Sequence, residues 1–322
     1  MKYIKAIIWK VRSLALRCLN IFLSWVYKYP RFSKGRNIVF FVGHDRSGSS
    51  WISGMLGKAA NTLYVYEPIN EDASFVGDFN LYNTCLAPGE RSQKHEDIFD
   101  LASSGFGVNT VPFNKIARKL FSNPTVIIKE VGGMLLGEWF QQRYGGQVVL
   151  LTRHPAPVVL SNMKMGLANA DKWLAAMRAD PDLYADFLSR YDFESLGEDD
   201  VVTKFAIVYC VRYLMAFSQC HENSDWVQVN YEDFCLNPEL EFEKLFTALK
   251  LDFSESIRQH IKETSEVDKS EFFFGTSRKS RRMLYKWHQE CSAEDERKIR
   301  EVLRAFDFPM YANDRDWQRK LV

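Results

Sequence analysis

The chain has 322 residues, 46% of them apolar and 26% charged. That suffices for one large hydrophobic core and excludes a disordered chain or a small domain held by disulfides. Forty-two basic residues face 41 acidic ones, a formal net charge of +1, so the chain lacks the positive surplus with which a dedicated nucleic-acid binder neutralises phosphates.

The charge is unevenly spread. Residues 1–36 hold nine basic residues (Lys2, Lys5, Lys10, Arg12, Arg17, Lys28, Arg31, Lys34, Arg36) and no acidic one, leaving 33 of the 42 basic residues for the rest. Ile4, Ile7, Ile8, Val11, Leu14, Cys18, Leu19, Phe22, Trp25 and Val26 recur at helical spacing, which predicts a basic amphipathic helix. Over residues 1–28 such a helix can lie on an anionic membrane surface or pack its apolar face on protein; amphipathicity does not separate the two. No run near the start approaches the roughly 20 uncharged apolar residues of a spanning helix. Six scattered cysteines with no C-x-x-C pair form neither a disulfide framework nor a zinc-ligand set. No Asn-x-Ser/Thr acceptor is present, since Asn123 precedes proline. The expected setting is reducing and cytoplasmic, with contact at the inner membrane surface as an option for the N-terminal segment.

From residue 37 to 322 the pattern is that of one α/β domain. Apolar runs at Ile38–Gly43, Thr125–Lys129, Gln147–Thr152 and Trp226–Asn230 read as buried strands. Helical patterns follow near Ser50–Lys58, Met134–Arg143, Ala156–Leu167, Thr203–His221 and Leu240–Leu249. Alternation of this kind predicts a parallel sheet with helices on both faces and ligands beyond the carboxyl ends of its strands. Two stretches, Glu71–Asn123 and Asp171–Asp200, read as irregular. They carry Phe75, Phe79, Tyr82, Phe99, Trp173, Tyr184, Phe187 and Tyr191, suited to stacking on sugar rings or to ordinary packing.

The first strand runs into Gly43-His44-Asp45-Arg46-Ser47-Gly48-Ser49-Ser50 and then a helical Trp51-Ile52. Strand, Gly/Ser turn and helix N-terminus make an anion cradle. The spacing is that of the nucleotide-binding P-loop G-x-x-x-x-G-K-[ST], with Ser49 in the lysine's place. The absent lysine counts against an ATPase or kinase, and Arg46 can supply the positive partner. Gln147–Thr152 ends at Arg153-His154-Pro155, and Ser161 lies eight residues past Arg153. An Arg at a strand end and a hydroxyl two turns into the next helix can hold a second phosphate. His154 is expected at the surface.

Arg46 to Ser50, Tyr66-Glu67-Pro68, Arg153 with Ser161, and Tyr231-Glu232-Asp233 with Asn237-Pro238 occur in this order. Together they resemble the landmarks of sulfotransferases that use 3′-phosphoadenosine 5′-phosphosulfate (PAPS), most of all the carbohydrate branch, over roughly residues 37–287. The resemblance implies a P-loop-type fold and PAPS as co-substrate, without a metal. It implies that Arg46, Ser47, Gly48, Ser49, Ser50 and Trp51 hold the 5′-phosphosulfate and that Arg153 and Ser161 hold the 3′-phosphate. Arg278 and Lys279 would close over the nucleotide, and Glu67 would be the catalytic carboxylate.

Sulfuryl transfer needs an attacking hydroxyl, a base for its proton and stabilisation of the departing phosphate oxygen. Glu67 follows the apolar run Leu63–Tyr66 and is expected at a strand end as general base or as an orienting carboxylate. His44 within the loop is a second candidate base, or a shaper of the turn. Lys129 can neutralise sulfonate charge or pair with Glu130 or another carboxylate. Tyr231-Glu232-Asp233 is expected to position a loop. Asn237 and Pro238 are expected to start a helix. The acceptor is a hydroxyl on a glycan, glycolipid or small molecule. Two rivals stay open: a phosphoryl-transfer enzyme on the same scaffold, and a catalytically silent nucleotide-binding or membrane-associated protein.

Overall fold

In the computed structural model, five short apolar runs become strands: β1 (Ile38–Gly43), β2 (Thr62–Tyr66), β3 (Thr125–Glu130), β4 (Gln147–Thr152) and β5 (Val227–Asn230). All pair in parallel, in the order β2-β3-β1-β4-β5. The structure describes residues 37–71, 74, 76–105, 123–180, 188–190, 200–266, 284–311 and 313–317, with residues 15, 18, 19 and 22. Apart from those four residues, the segment expected to form an amphipathic N-terminal helix lies outside the described residues, as do Arg278, Lys279, Phe75, Tyr184, Phe187 and Tyr191.

The central strands β1 and β4 are almost wholly apolar because both faces of the sheet are covered there, whereas the edge strand β5, Val-Gln-Val-Asn, is only partly buried. Side chains alternate between the faces. Ile38, Phe40 and Val42 of β1 enter one core with Val126, Ile128, Val148 and Leu150, while Val39 and Phe41 enter the other with Ile127, Val149 and Leu151. The first core is closed by α2 (Gln93–Ser104), α3 (Gly137–Tyr144), α4 (Pro155–Met163), α5 (Leu167–Ala179), α6 (Val201–Glu222) and α11 (Ala293–Ala305). The second is closed by α1 (Ser49–Leu56), α7 (Tyr231–Leu236), α8 (Pro238–Ala248) and α9 (Glu255–Glu266). A short helix, α10 (Trp287–Glu290), precedes α11, and its Trp287 and Cys291 just beyond are buried in the first core.

Two expectations are corrected. The helix expected over Ala156–Leu167 ends at Met163, and α5 begins after Gly166, whose φ of 104° interrupts the helix. The stretches expected to be irregular each hold a helix, α2 and α5. Their aromatics Phe99 and Trp173, with Tyr82, are buried in the first core, so these three pack rather than offer sugar-stacking faces. A 3₁₀ turn at Met134–Leu136 precedes α3.

β1 is central, and the chain leaves it for β2 and β3 on one side and β4 and β5 on the other. Its carboxyl end is therefore the point where the winding reverses, the place such sheets bind ligands. Phe40 anchors that strand: it is fully buried, stacked on Phe140 at 4.1 Å and edge-on to Phe99 at 5.6 Å. Phe40→Ala is expected to lower unfolding stability by about 3–5 kcal/mol, read from urea midpoints at unchanged slope. A loss under about 1 kcal/mol would contradict this packing.

Candidate functional site

The turn after β1 is shaped by what surrounds it. A Cβ on Gly43 would lie 3.1 Å from Ser47 Oγ and 3.2 Å from the Leu151 carbonyl oxygen. A Cβ on Gly48, at φ 90°, would lie 2.3 Å from the Tyr231 ring. Arg46 itself has φ 66°, a conformation costly for a non-glycine residue and concentrated at functional sites. That backbone lets its side chain turn to α4, where Nε donates to Ser161 Oγ at 2.8 Å. Arg153, 8% exposed at the end of β4, donates from Nη1 to the Arg46 carbonyl at 2.8 Å. Its guanidinium lies 4.1 Å over the Tyr231 ring, a cation–π contact that fixes its plane.

Arg46, Ser161 and Arg153, distant in sequence, thus meet at the carboxyl ends of β1 and β4. The buried Ser47 hydroxyl and Arg153 Nε have no hydrogen-bond partner among the described residues. In α1 the first backbone donor to find a carbonyl is Trp51, at 3.1 Å from Gly48 O; the amides of Ser49 and Ser50 precede it at the helix mouth. Unspent donors, an arginine pair and a helix N-terminus fit an anionic group. Ser49 is buried, and Ser50 Oγ lies 3.5 Å from the Tyr66 hydroxyl. Trp51 packs edge-on against Tyr231 and Phe242 at 6.0 and 5.5 Å, tying α1 to α7 and α8.

Glu67 directly follows β2 and Lys129 lies near the end of β3, paired in register with Tyr66. They form an ion pair, at 7% and 1% exposure. The Glu67 amide donates to the Lys129 carbonyl at 2.7 Å, its Oε2 accepts from Asn70 Nδ2 at 2.7 Å, and Lys129 Nζ lies 4.7 Å from the Tyr66 ring centre. Glu67 has φ 44°, a second strained non-glycine residue at this edge. Of the partners open to Lys129, the structure selects Glu67. Glu130 turns instead to the backbone: its carboxylate accepts from Ile69, Val131 and Gly132 amides at 3.0, 2.8 and 2.8 Å. Burial, and the Glu67 charge after it, push the Glu130 carboxyl up to about 7.

His44 is 1% exposed, with ring centres of Tyr209 and Tyr213 at 5.8 and 6.0 Å. Its Nδ1 donates to the Asp45 carbonyl at 2.9 Å. Burial first and the Arg212 charge second push its pKa down to about 3, so it braces the turn as a neutral ring. His154, expected at the surface, is 5% exposed. It stacks on Trp287 at 4.6 Å and meets Tyr311 and Trp317 edge-on at 4.8 and 4.6 Å. The reason is its place before α4, where Nδ1 accepts from the Ala156 amide and the terminal segment closes over it. Burial lowers its pKa to about 3.

Tyr231-Glu232-Asp233 opens α7, with Asn230 as the cap at 2.9 Å from the Glu232 amide. Glu232 Oε1 accepts from the His154 amide at 3.0 Å, so this segment positions the turn after β4. Pro238 is the first residue of α8, and Asn237 stands at the cap position without a side-chain cap bond. Concavities of about 300 and 220 Å³ open beside Arg304 on α11 and beside Asn230 at β5; neither is lined by Arg46, Glu67 or Lys129.

Sequence reasoning missed Arg212, fully buried in α6 and paired with Asp45 at 2.6 Å. The available signal was a lone arginine in a long apolar helix, which must find a partner.

The buried imidazoles carry a pH dependence. Unfolded His154 takes up a proton near pH 6.5, whereas the folded ring refuses it until about 3. The stability due to the neutral ring is therefore complete above 6.5 and is lost as pH falls towards 3. His154→Phe keeps the stacking and removes the titration. Between about pH 4 and 6 its unfolding free energy should rise with pH less steeply than the wild type's, by about 1.4 kcal/mol per pH unit. Parallel curves would contradict the burial of His154.

No family model matches the chain, and no curated protein matches it. Among solved structures it is similar to a mouse sulfotransferase complexed with PAP, at 13% identity over 87% of each chain and a TM-score of 0.45. It is similar also to the sulfotransferase domain of a Synechococcus olefin synthase, at 14% identity over 85% of this chain and 97% of that one, TM-score 0.42. A Mycobacterium tuberculosis sulfotransferase aligns at 12% identity over 74% of this chain and 75% of its own, TM-score 0.41. Values of this size leave the residues themselves to carry the functional reading.

Proposed function

We propose that the protein transfers a sulfuryl group from PAPS to a hydroxyl of a glycan, a glycolipid or a small molecule. The observation that carries the reading is the meeting of Arg46, Ser161 and Arg153 at the carboxyl ends of β1 and β4, with a loop that has Ser49 where a phosphoryl-transfer P-loop has lysine. The donor supplies an activated sulfuryl group on a phosphate oxygen. Arg46 and the loop amides take its 5′ end and offset the charge left on that oxygen. Arg153 and Ser161 take the 3′-phosphate, which distinguishes this donor from ATP.

Glu67 accepts the proton of the attacking hydroxyl as the new S–O bond forms and the bond from sulfur to the phosphate oxygen breaks. The products are a sulfate ester and adenosine 3′,5′-bisphosphate. Lys129 holds the Glu67 carboxylate and places a positive charge beside it. Glu67 is preferred to His44 as base because His44 is sealed in the core and its burial leaves it weakly basic. A cytoplasmic setting, with residues 1–28 at the inner membrane surface, belongs to the same proposal on the strength of the basic amphipathic pattern.

The test is bisphosphate release from PAPS in the presence of oligosaccharides, glycolipid micelles and small alcohols or phenols. Glu67→Gln should lower kcat by about 10²–10⁴-fold while leaving bisphosphate affinity within about threefold. Unchanged turnover would remove Glu67 from the chemistry, and absence of release with every acceptor class would contradict the transferase reading.

A further inference from the structure

Arg212 is fully buried within α6, a helix of 22 residues. A guanidinium in such a place is costly unless its donors are met. Nη1 pairs with Asp45 Oδ2 at 2.6 Å, Nη2 donates to the Val131 carbonyl, Nε has no hydrogen-bond partner among the described residues, and the group lies 6.0 Å from the Trp173 ring centre. Asp45 is the unexpected member. It stands beside Arg46 in a turn otherwise fit to receive an anion, where a second negative charge opposes binding. Val131 follows Lys129 and Glu130 directly, so one guanidinium spans the turn after β1 and the segment after β3.

We propose that Arg212 is a positioning residue of the donor site: it cancels the charge of Asp45 inside the anion-binding turn and fastens that turn to the segment following β3. The inference rests on the reading of this turn as the donor cradle. Arg212 acts through Asp45 and not by touching the donor. Asp45 is faced by Arg212 from α6, His44 from its own turn, Lys129 from β3 and Tyr82 from the segment before α2. Burial pushes the Asp45 carboxyl up, and the Arg212 charge, helped by the Arg212 hydrogen bond and the Lys129 charge, reverses this and holds it below the usual range. Without Arg212 only the upward push of burial and weaker partners remain, so the carboxyl would titrate higher.

The experiment is calorimetric titration of the full chain with adenosine 3′,5′-bisphosphate at about pH 5.5 and about pH 8, each variant against wild type at the same pH. Arg212→Met leaves Asp45 uncompensated and is expected to bind about tenfold or more weakly at the higher pH, with a smaller deficit at the lower, because the Asp45 carboxyl then titrates higher. Arg212→Met combined with Asp45→Asn removes both charges and is expected to bind within about threefold of wild type at both values. A loss in Arg212→Met that is equal at both pH values and persists in the double variant would make Arg212 merely structural and overturn the inference. Should Arg212→Met not fold, Asp45→Asn decides: affinity at least equal to wild type is expected, and a loss of about tenfold overturns it. A wild type that does not bind the bisphosphate would overturn the donor reading itself, whereas wild-type binding with indifferent variants would overturn only the role of Arg212.

Discussion

Charge gathered at the dry carboxyl edge of a parallel sheet has to be paired, and that pairing holds the site together. Glu67 with Lys129 and Asp45 with Arg212 are both buried or nearly so. Breaking such a pair by removing one member costs about 3–5 kcal/mol, whereas replacing both members with apolar residues is often neutral. Their presence is therefore better explained by what they place than by what they add to stability. The first pair fixes a carboxylate at the end of β2. The second fixes the turn that presents Arg46.

The two halves of the site are joined through backbone as well as charge. Glu130 gathers the amides of Ile69, Val131 and Gly132, Arg212 joins Val131 to Asp45, and Arg153 joins β4 to the Arg46 carbonyl. Tyr231 lies under both Gly48 and Arg153. The segments that follow β1, β2, β3 and β4 are thus linked to one another and do not hang as independent loops. Strained backbone at Arg46 and Glu67 marks the two points where this network holds a side chain in a conformation it would not choose alone.

Much of this was legible in the residues. Strands buried on both faces are continuous apolar runs, so the limits of β1 and β4 could be read directly from Ile38–Gly43 and Gln147–Thr152. The phosphate-type turn announced itself by Gly43, Gly48 and the serines, and Arg153 and Ser161 by their spacing about a strand end. What could not be read were choices among distant partners. Lys129 had several carboxylates in prospect, and only the register of β2 against β3 selects Glu67. His154 looked exposed because nothing local tells that Trp287, Tyr311 and Trp317 return to cover it. Arg212 hid in an apolar helix, and α2 and α5 hid in stretches whose polar residues resembled loops. The partners of Lys129, His154 and Arg212 are tertiary contacts that no local pattern encodes, whereas α2, α5 and the break at Gly166 are local features.

The central claim is that the turn after β1 and the end of β4 together hold a nucleotide bearing a 3′-phosphate. The most direct measurement is the shift of the unfolding midpoint with adenosine 3′,5′-bisphosphate and with ATP, for wild type and Arg153→Ala. At a concentration 100 times its dissociation constant the bisphosphate should add about 2.7 kcal/mol of stability, with a much smaller effect from ATP and none of comparable size in the variant. Stabilisation by ATP alone, or equal stabilisation of wild type and Arg153→Ala by the bisphosphate, would contradict the account.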